Sequence, residues 1–255
     1  MSTHKLLWIT DLHLVEPGHP WPQQVDPLPR FHAVLNELRD QHGDADRLIL
    51  TGDLVQSGSV QSYQVLRDAL QDFPIPWRLL VGNHDKRDNL REVFPRVPVT
   101  EGFLQSAEEL DGTHLIYLDT QAEAGHHGEL CPARLAWLAA QLQRAGASPV
   151  LIFMHHPPVA IGMPPLDRLR LRDPDKALYQ LLRARTAPTQ LLCGHLHRNV
   201  SGHWAGHPFT VLDSTHLPLR FDMVSDRLTR YPGAPTYGVI LLDGDSVVIN
   251  AVQQL

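Results

Sequence analysis

Cysteine is nearly missing from this chain, and its scarcity excludes two kinds of protein. Only Cys131 and Cys193 occur in 255 residues, with no CxxC pair, so neither a disulfide framework nor a thiolate zinc knuckle is expected. Positive charge is also short. Lys and Arg number 22 against 28 Asp and Glu, a formal net charge of -6, which implies no basic face for a nucleic-acid backbone and no stable nucleic-acid partner. Long apolar runs are absent too. The first one ends at Asp11, too short for a signal segment or a membrane span, so a cytoplasmic protein without a membrane partner is expected. There is no Gly- or Ser-rich linker, repeat or low-complexity tract. Residues 1–255 are therefore read as one domain, with a β-rich part from about residue 199.

Histidine is the one excess, with 16 residues, and many of them fall in short motifs: Asp11-x-His13, Gly52-Asp53, Gly82-Asn83-His84-Asp85, His155-His156 and Gly194-His195-x-His197. Each motif follows a short apolar run. The runs at Lys5–Thr10, Arg47–Thr51, Trp77–Val81, Thr113–Leu118, Val150–Met154 and Gln190–Cys193 have strand character. Pro29–Gln41, Ser59–Gln71, Cys131–Arg144 and Asp175–Arg185 carry the apolar spacing of amphipathic helices. The alternation predicts an α/β fold with crossovers and a sheet buried on both faces. Residues 199–215 and 237–253 read as β-hairpins.

Ligands of open α/β sheets bind beyond the carboxyl ends of the strands, and every motif sits there. Asp, Asn and His are oxygen and nitrogen donors for divalent ions such as Mn, Fe, Zn or Co. Asp11, His13, Asp53, Asn83, His155, His195 and His197 are too many for one ion, and suit two that share a bridge. A carboxylate can bridge, so Asp53 is the expected shared ligand. Such a pair would acidify a water to hydroxide for attack on a phosphoester. His84, next to Asn83, should face the substrate and protonate the leaving group, with Asp85 holding its ring.

Together the motifs resemble the signature of the calcineurin-like metallophosphoesterase superfamily, from residue 6 to about residue 215. The resemblance implies a four-layer αββα sandwich of two mixed sheets flanked by helices, and a centre of two metal ions. One ion would take Asp11, His13, Asp53 and His197, the other Asp53, Asn83, His155 and His195. The segment FMHHPP, then a Gly and Asp167, resembles the bacterial class III cyclic-nucleotide and glycerophosphodiester phosphodiesterases. GDLVQSG is unlike the GDYVDRG of the protein phosphatases. The expected activity is hydrolysis of a small phosphodiester or cyclic nucleotide. The alternatives are a phosphomonoesterase, a phosphonate-ester hydrolase or a non-catalytic scaffold, and a homo-oligomer remains open.

Other residues admit two readings each. His156 either contacts substrate or packs. His126 and His127, in a Gly-flanked loop, are expected to be solvated. His203 and His207 fall in the β-rich part, and His216 lies near the rim. Asp119 either orients a ligand or closes a turn. Cys193 is expected in the core. Trp21 either lines the pocket or is exposed. Arg168 and Arg170 either begin a solvated helix or reach a phosphate or a second subunit. Among the motifs only Lys86 and Arg198 bring positive charge, and both are expected to point away.

Overall fold

The computed structural model of the protein describes residues 3–20, 25–244 and 246–254, so Trp21 lies outside the described residues. In chain order the elements are β1 (His4–Ile9), α1 (Pro27–His42), β2 (Arg47–Leu50), α2 (Val60–Leu70), β3 (Trp77–Leu79), α3 (Arg87–Val93), β4 (Ser106–Leu110), β5 (Thr113–Leu118) and β6 (Gly128–Glu129). They continue with α4 (Pro132–Ala145), β7 (Val150–Met154), α5 (Pro164–Asp167), β8 (Leu171–Arg172), α6 (Ala177–Arg183), β9 (Thr189–Cys193), β10 (Val200–Trp204), β11 (His207–Val211), β12 (Thr236–Asp243) and β13 (Ser246–Gln253).

Two mixed sheets form the interior. One runs β13-β12-β1-β2-β3, the other β10-β11-β9-β7-β5-β4, and β6 pairs with β8 alone. Within the first sheet β1, β2 and β3 are parallel, while β12 joins β1 antiparallel. Within the second, β5, β7, β9 and β11 are parallel, with β4 and β10 antiparallel at the edges.

The side-chain alternation of each strand decides the layers. Leu6, Trp8 and Ile49 of the first sheet meet Leu115, Tyr117, Leu151, Phe153 and Leu192 of the second in a dry seam between the sheets. The opposite faces take the helices. Phe31, Val34, Leu35 and Leu38 of α1, with Tyr63 and Leu66 of α2, cover the first sheet. Leu138 and Leu142 of α4, with Leu178 and Leu182 of α6, cover the second. The four layers are those expected. No described helix is long and apolar enough to cross a membrane.

Both hairpins form, but they do not make a separate half. β12 returns to the first sheet against β1, pairing His4 with Leu242. β11 extends the second sheet from β9. α1 begins before its first expected residue, at Pro27, because Asp26 caps it by accepting from Leu28 N at 3.0 Å. β4 and α3 carry no apolar periodicity and were not expected. β4 is an edge strand reading SAEEL, and α3 buries only Leu90. From β4, Glu108 reaches across to the first sheet, where it accepts from Arg47 Nε at 3.1 Å and Arg78 Nη2 at 2.6 Å.

Candidate metal centre

Each motif leaves the carboxyl end of a strand at one rim shared by both sheets. Asp11 and His13 follow β1, Asp53 follows β2 and Asn83 follows β3. His155 follows β7, and His195 and His197 follow β9. Their turns are stitched to one another: Asp11 N donates to Gly52 O at 3.1 Å, His13 N to Asp53 O at 2.9 Å, and Gly194 N to His155 O at 3.0 Å. Five of these residues adopt left-handed backbone, with φ of 55° at Asp11, 50° at His13, 46° at Asp53, 73° at His195 and 47° at His197. Non-glycine residues rarely do so, and each costs on the order of 1 kcal/mol. Strain concentrated on one set of polar residues marks a site whose geometry is imposed by the surrounding fold.

The side chains form two overlapping clusters. In the first, His13 Nε2 lies 3.0 Å from His197 Nε2, 3.7 Å from Asp53 Oδ2 and 4.0 Å from Asp11 Oδ1, and His197 Nε2 lies 3.3 Å from Asp11 Oδ1. In the second, His155 Nε2 lies 3.4 Å from Asp53 Oδ2 and 3.3 Å from Asn83 Oδ1, and the His195 ring centroid is 5.1 Å from that of His155. Asp53 Oδ2 therefore faces both.

The remaining ring atoms indicate what these clusters accept. His155 Nδ1 donates to Thr51 O at 2.8 Å and His197 Nδ1 to Leu217 O at 2.7 Å, while His13 Nδ1 meets Gln56 Oε1 at 2.9 Å. A carbonyl only accepts, so these Nδ1 atoms carry hydrogen and the Nε2 lone pairs point inward. Two inward lone pairs 3.0 Å apart, at His13 and His197, repel unless a proton or cation lies between them. Asp11 spends Oδ2 on Thr10 Oγ1 at 2.8 Å and His195 N at 2.9 Å, which leaves buried Oδ1 without a hydrogen bond. Buried His195 Nε2 has none either. Asp53 spends Oδ1 on His84 N at 2.8 Å, leaving Oδ2 for the centre. The donor set fits divalent cations.

The buried carboxylates draw positive charge, a proton or a cation, to these rings. Burial opposes charge on His155, but the Asp53 carboxylate outweighs it and lifts the ring to about 9. Burial opposes His197 likewise, and Asp11 raises it. Burial, aided by His155, pushes His195 down to about 3. Burial would raise Asp11 and Asp53, yet the neighbouring histidines hold both below the usual carboxylate range.

His84 lies beside the centre. Its Nδ1 donates to Gln56 O at 2.8 Å, its ring centroid is 4.9 Å from that of His13, and it groups with His13 and Asp53 within 4.8 Å. Asp85 does not hold this ring, contrary to the sequence expectation. Its buried carboxylate accepts from Gly82 N at 2.8 Å, Leu54 N at 3.2 Å, Val55 N at 3.4 Å and Tyr63 OH at 3.0 Å. The reason is the tight turn closed by Asp85 N to Gly82 O at 3.3 Å, which swings the side chain beneath the loop. Burial, with the charge of Asp53, pushes it up to about 7.

The other residues fall on both sides of their expected readings. His156 is buried, bonded to Thr120 Oγ1 at 2.9 Å, and its ring lies 4.7 Å from those of both His155 and His195. His126 is exposed, yet Asn83 Nδ2 donates to its Nδ1 at 2.9 Å, so this loop does reach the centre. His216 sits 6.2 Å from His13, ring to ring. His207 bonds Leu182 O at 2.8 Å, and His203 is exposed on β10, both away from the clusters. Asp119 grips Arg87 through both oxygens, at 2.7 and 2.9 Å, and so braces the fold. Cys193 is in the core. Arg168 forms an exposed pair with Asp226 at 3.1 Å, and Arg170 bonds Asp167 O.

The calcineurin-like phosphoesterase family model matches residues 4–199. The chain belongs to the calcineurin-like phosphoesterase family. Among members of that family, it is 36% identical over 253 residues to a protein of Rhodopseudomonas palustris named a probable cyclic nucleotide phosphodiesterase, covering 96% of this chain and 91% of that one. A 3',5'-cyclic adenosine monophosphate phosphodiesterase of Vibrio vulnificus is 29% identical, over 98% and 90% of the two chains. The calcineurin-like fold itself recurs in the crystal structure of a dimetal phosphatase from Danio rerio, with a TM-score of 0.66, 12% identity and 99% coverage of both chains.

Proposed function

We propose that the chain is a phosphoric diester hydrolase of the two-metal type, acting on a small phosphodiester of the cyclic-nucleotide class. One ion would be held by Asp11, His13, Asp53 and His197, the other by Asp53, Asn83, His155 and His195. The observation that carries this reading is Asp53, whose Oδ2 faces His13 at 3.7 Å and His155 at 3.4 Å while its Oδ1 is fixed by His84 N. Bound ions of this kind acidify water and neutralise phosphate oxygens; Mn, Fe, Zn and Co all accept such donors. The carbonyls of Thr51 and Leu217 hold the rings so that Nε2 points inward. His84, anchored through Nδ1 to Gln56 O, presents Nε2 to the leaving oxygen and, as an imidazolium, delivers the Nε2 proton to it and is left neutral with Nδ1 still donating. Asp85 positions that loop from beneath. The substrate class rests on the relatives that cover nearly the whole chain.

Elemental analysis and a substrate panel test the reading. Two divalent ions per chain are expected, with both lost together in Asp53→Asn. Bis-nitrophenyl phosphate and 3',5'-cyclic nucleotides should be cleaved with higher kcat/KM than nitrophenyl phosphate. A monoester preferred at neutral pH would make the chain a phosphomonoesterase. Fewer than one ion per chain, with no turnover, would make it a scaffold.

A further inference from the structure

A cleft that the proposed chemistry does not use opens beside the second cluster. It spans about 690 Å³ between the segments 83–89, 101–103 and 121–125, and its lining includes Asn83, Arg87, Phe103, Ala122 and Ala124. Clefts of about 300–1,000 Å³ suit a small organic ligand. Asn83 stands where the cleft meets the centre. Its Oδ1 lies 3.3 Å from His155 Nε2, while its Nδ2 donates to His126 Nδ1 at 2.9 Å. A phosphate at the centre and a substituent in the cleft would therefore share Asn83 as a neighbour.

The cleft has a rigid wall and an acidic rim. Asp119 accepts from Arg87 Nε at 2.7 Å and Nη2 at 2.9 Å, and Gln121 O accepts from Nη2 at 2.7 Å, so the guanidinium is fixed in its plane. It lies 5.4 Å from the Phe103 ring centroid, and buried Arg134 lies 4.5 Å from the same ring. Guanidinium planes and aromatic rings are surfaces on which nucleic-acid bases stack. At the rim Asp88, Glu101 and Glu123 are exposed. Lys86 faces them alone among the described lining residues, because the charge of Arg87 is spent on Asp119. A second phosphate is repelled there, whereas hydroxyls and amines find acceptors.

We propose that this cleft is a nucleoside subsite, taking the base and sugar of a phosphodiester whose phosphate lies at the centre, with the base against Arg87 and Phe103. This rests on the phosphodiesterase reading above. A methyl or glycerol substituent would leave most of the volume to water. A dinucleotide would bring its second phosphate to the acidic rim. The nucleoside of a single nucleotide has neither fault: it is flat and uncharged on one side, and carries hydroxyls and amines for the carboxylates on the other.

Calorimetry on the two-metal protein tests this without turnover, with adenosine 5'-monophosphate, ribose 5-phosphate, phosphocholine and inorganic phosphate as probes. The nucleotide should bind roughly five- to hundred-fold tighter than ribose 5-phosphate, the worth of stacking one base. Ala124→Trp fills the cleft from an exposed loop and should bring that ratio close to unity while inorganic phosphate still binds. Phe103→Ala should lower the ratio as well. Equal affinity for the nucleotide and ribose 5-phosphate in the wild type overturns the proposal. So does a base preference that survives both variants, because the base then sits elsewhere. Loss of inorganic phosphate along with the nucleotide in both variants overturns it in favour of a structural role. Phosphocholine bound tighter than the nucleotide overturns it in favour of a cationic substituent. A wild type that prefers the nucleotide but hydrolyses no 3',5'-cyclic nucleotide sinks the functional reading and leaves the subsite, whereas phosphodiester hydrolysis with no base preference sinks the subsite alone.

Discussion

Gly82→Ala tests the centre at its tightest point. A Cβ at Gly82 would lie 2.3 Å from Asp53 Oδ1, 2.4 Å from Asp53 N and 2.7 Å from His155 Nε2. Each is roughly 1 Å short of ordinary carbon contact. Flexible side chains absorb such intrusions, but Asp53 N is backbone, locked in a left-handed turn at φ 46° and tied by His13 N to Asp53 O at 2.9 Å. The carboxylate and the His155 ring must therefore move apart. Overpacking of this kind costs about 1–3 kcal/mol, and a displacement of about 1 Å in a catalytic group costs about a hundred-fold in rate. Urea unfolding of the metal-free protein should give the first figure, and kcat/KM the second. Elemental analysis should find fewer than two ions per chain. Gly112→Ala is the control. Its φ is 79° and nothing lies within 4 Å of its Cβ, so it should lose about 1 kcal/mol from left-handed strain and keep both ions. Gly82→Ala with two tightly held ions and wild-type turnover would refute the packing argument and with it the placement of Asp53 and His155 around a shared ion.

His84→Ala should keep both ions, yet lower kcat about a hundred-fold for poor leaving groups and less for nitrophenolate; equal losses across leaving groups, read in a series of aryl phosphodiesters, would replace proton transfer with electrostatic support. Glu108 contributes to acid stability. Burial raises its carboxyl, but the bonds from Arg47 and Tyr117 and the charge of Arg78 hold it below the ordinary 4.5. That stabilisation is complete above pH 4.5 and is lost as pH falls through the lower folded value. Glu108→Gln should cost about 1–2 kcal/mol near neutral pH and flatten the acid limb of a urea-midpoint curve. A mutant curve parallel to wild type would show that Glu108 does not link the sheets energetically.

The strands, the larger helices and the rim were legible because apolar runs end in polar motifs with glycine beside them. Asp53 as the shared residue was legible from chemistry alone, since only a carboxylate offers two oxygens. Asp85 was misread because alternation along a strand was extended into a tight turn, where backbone amides claim the side chain. β4 was hidden because an edge strand reading SAEEL is held by Tyr117 of the next strand and by Arg47 and Arg78, which are distant in sequence. His126 was hidden for a related reason: it sits in a connection without periodicity, and only its tertiary contact with Asn83 brings it to the centre.

The central place of β1 has a consequence for the order in which the protein can be made. β1 lies between β2 and β12, and β12 is translated long after β1. A nascent chain therefore presents Asp11 and His13 early, on a strand lacking one of its two neighbours. His195 and His197 follow only after β9. Closing so long a loop is entropically costly and slow. The two clusters are therefore complete only once β9 and its turn are made, and a chain interrupted before them would hold Asp11 and His13 without His195 and His197.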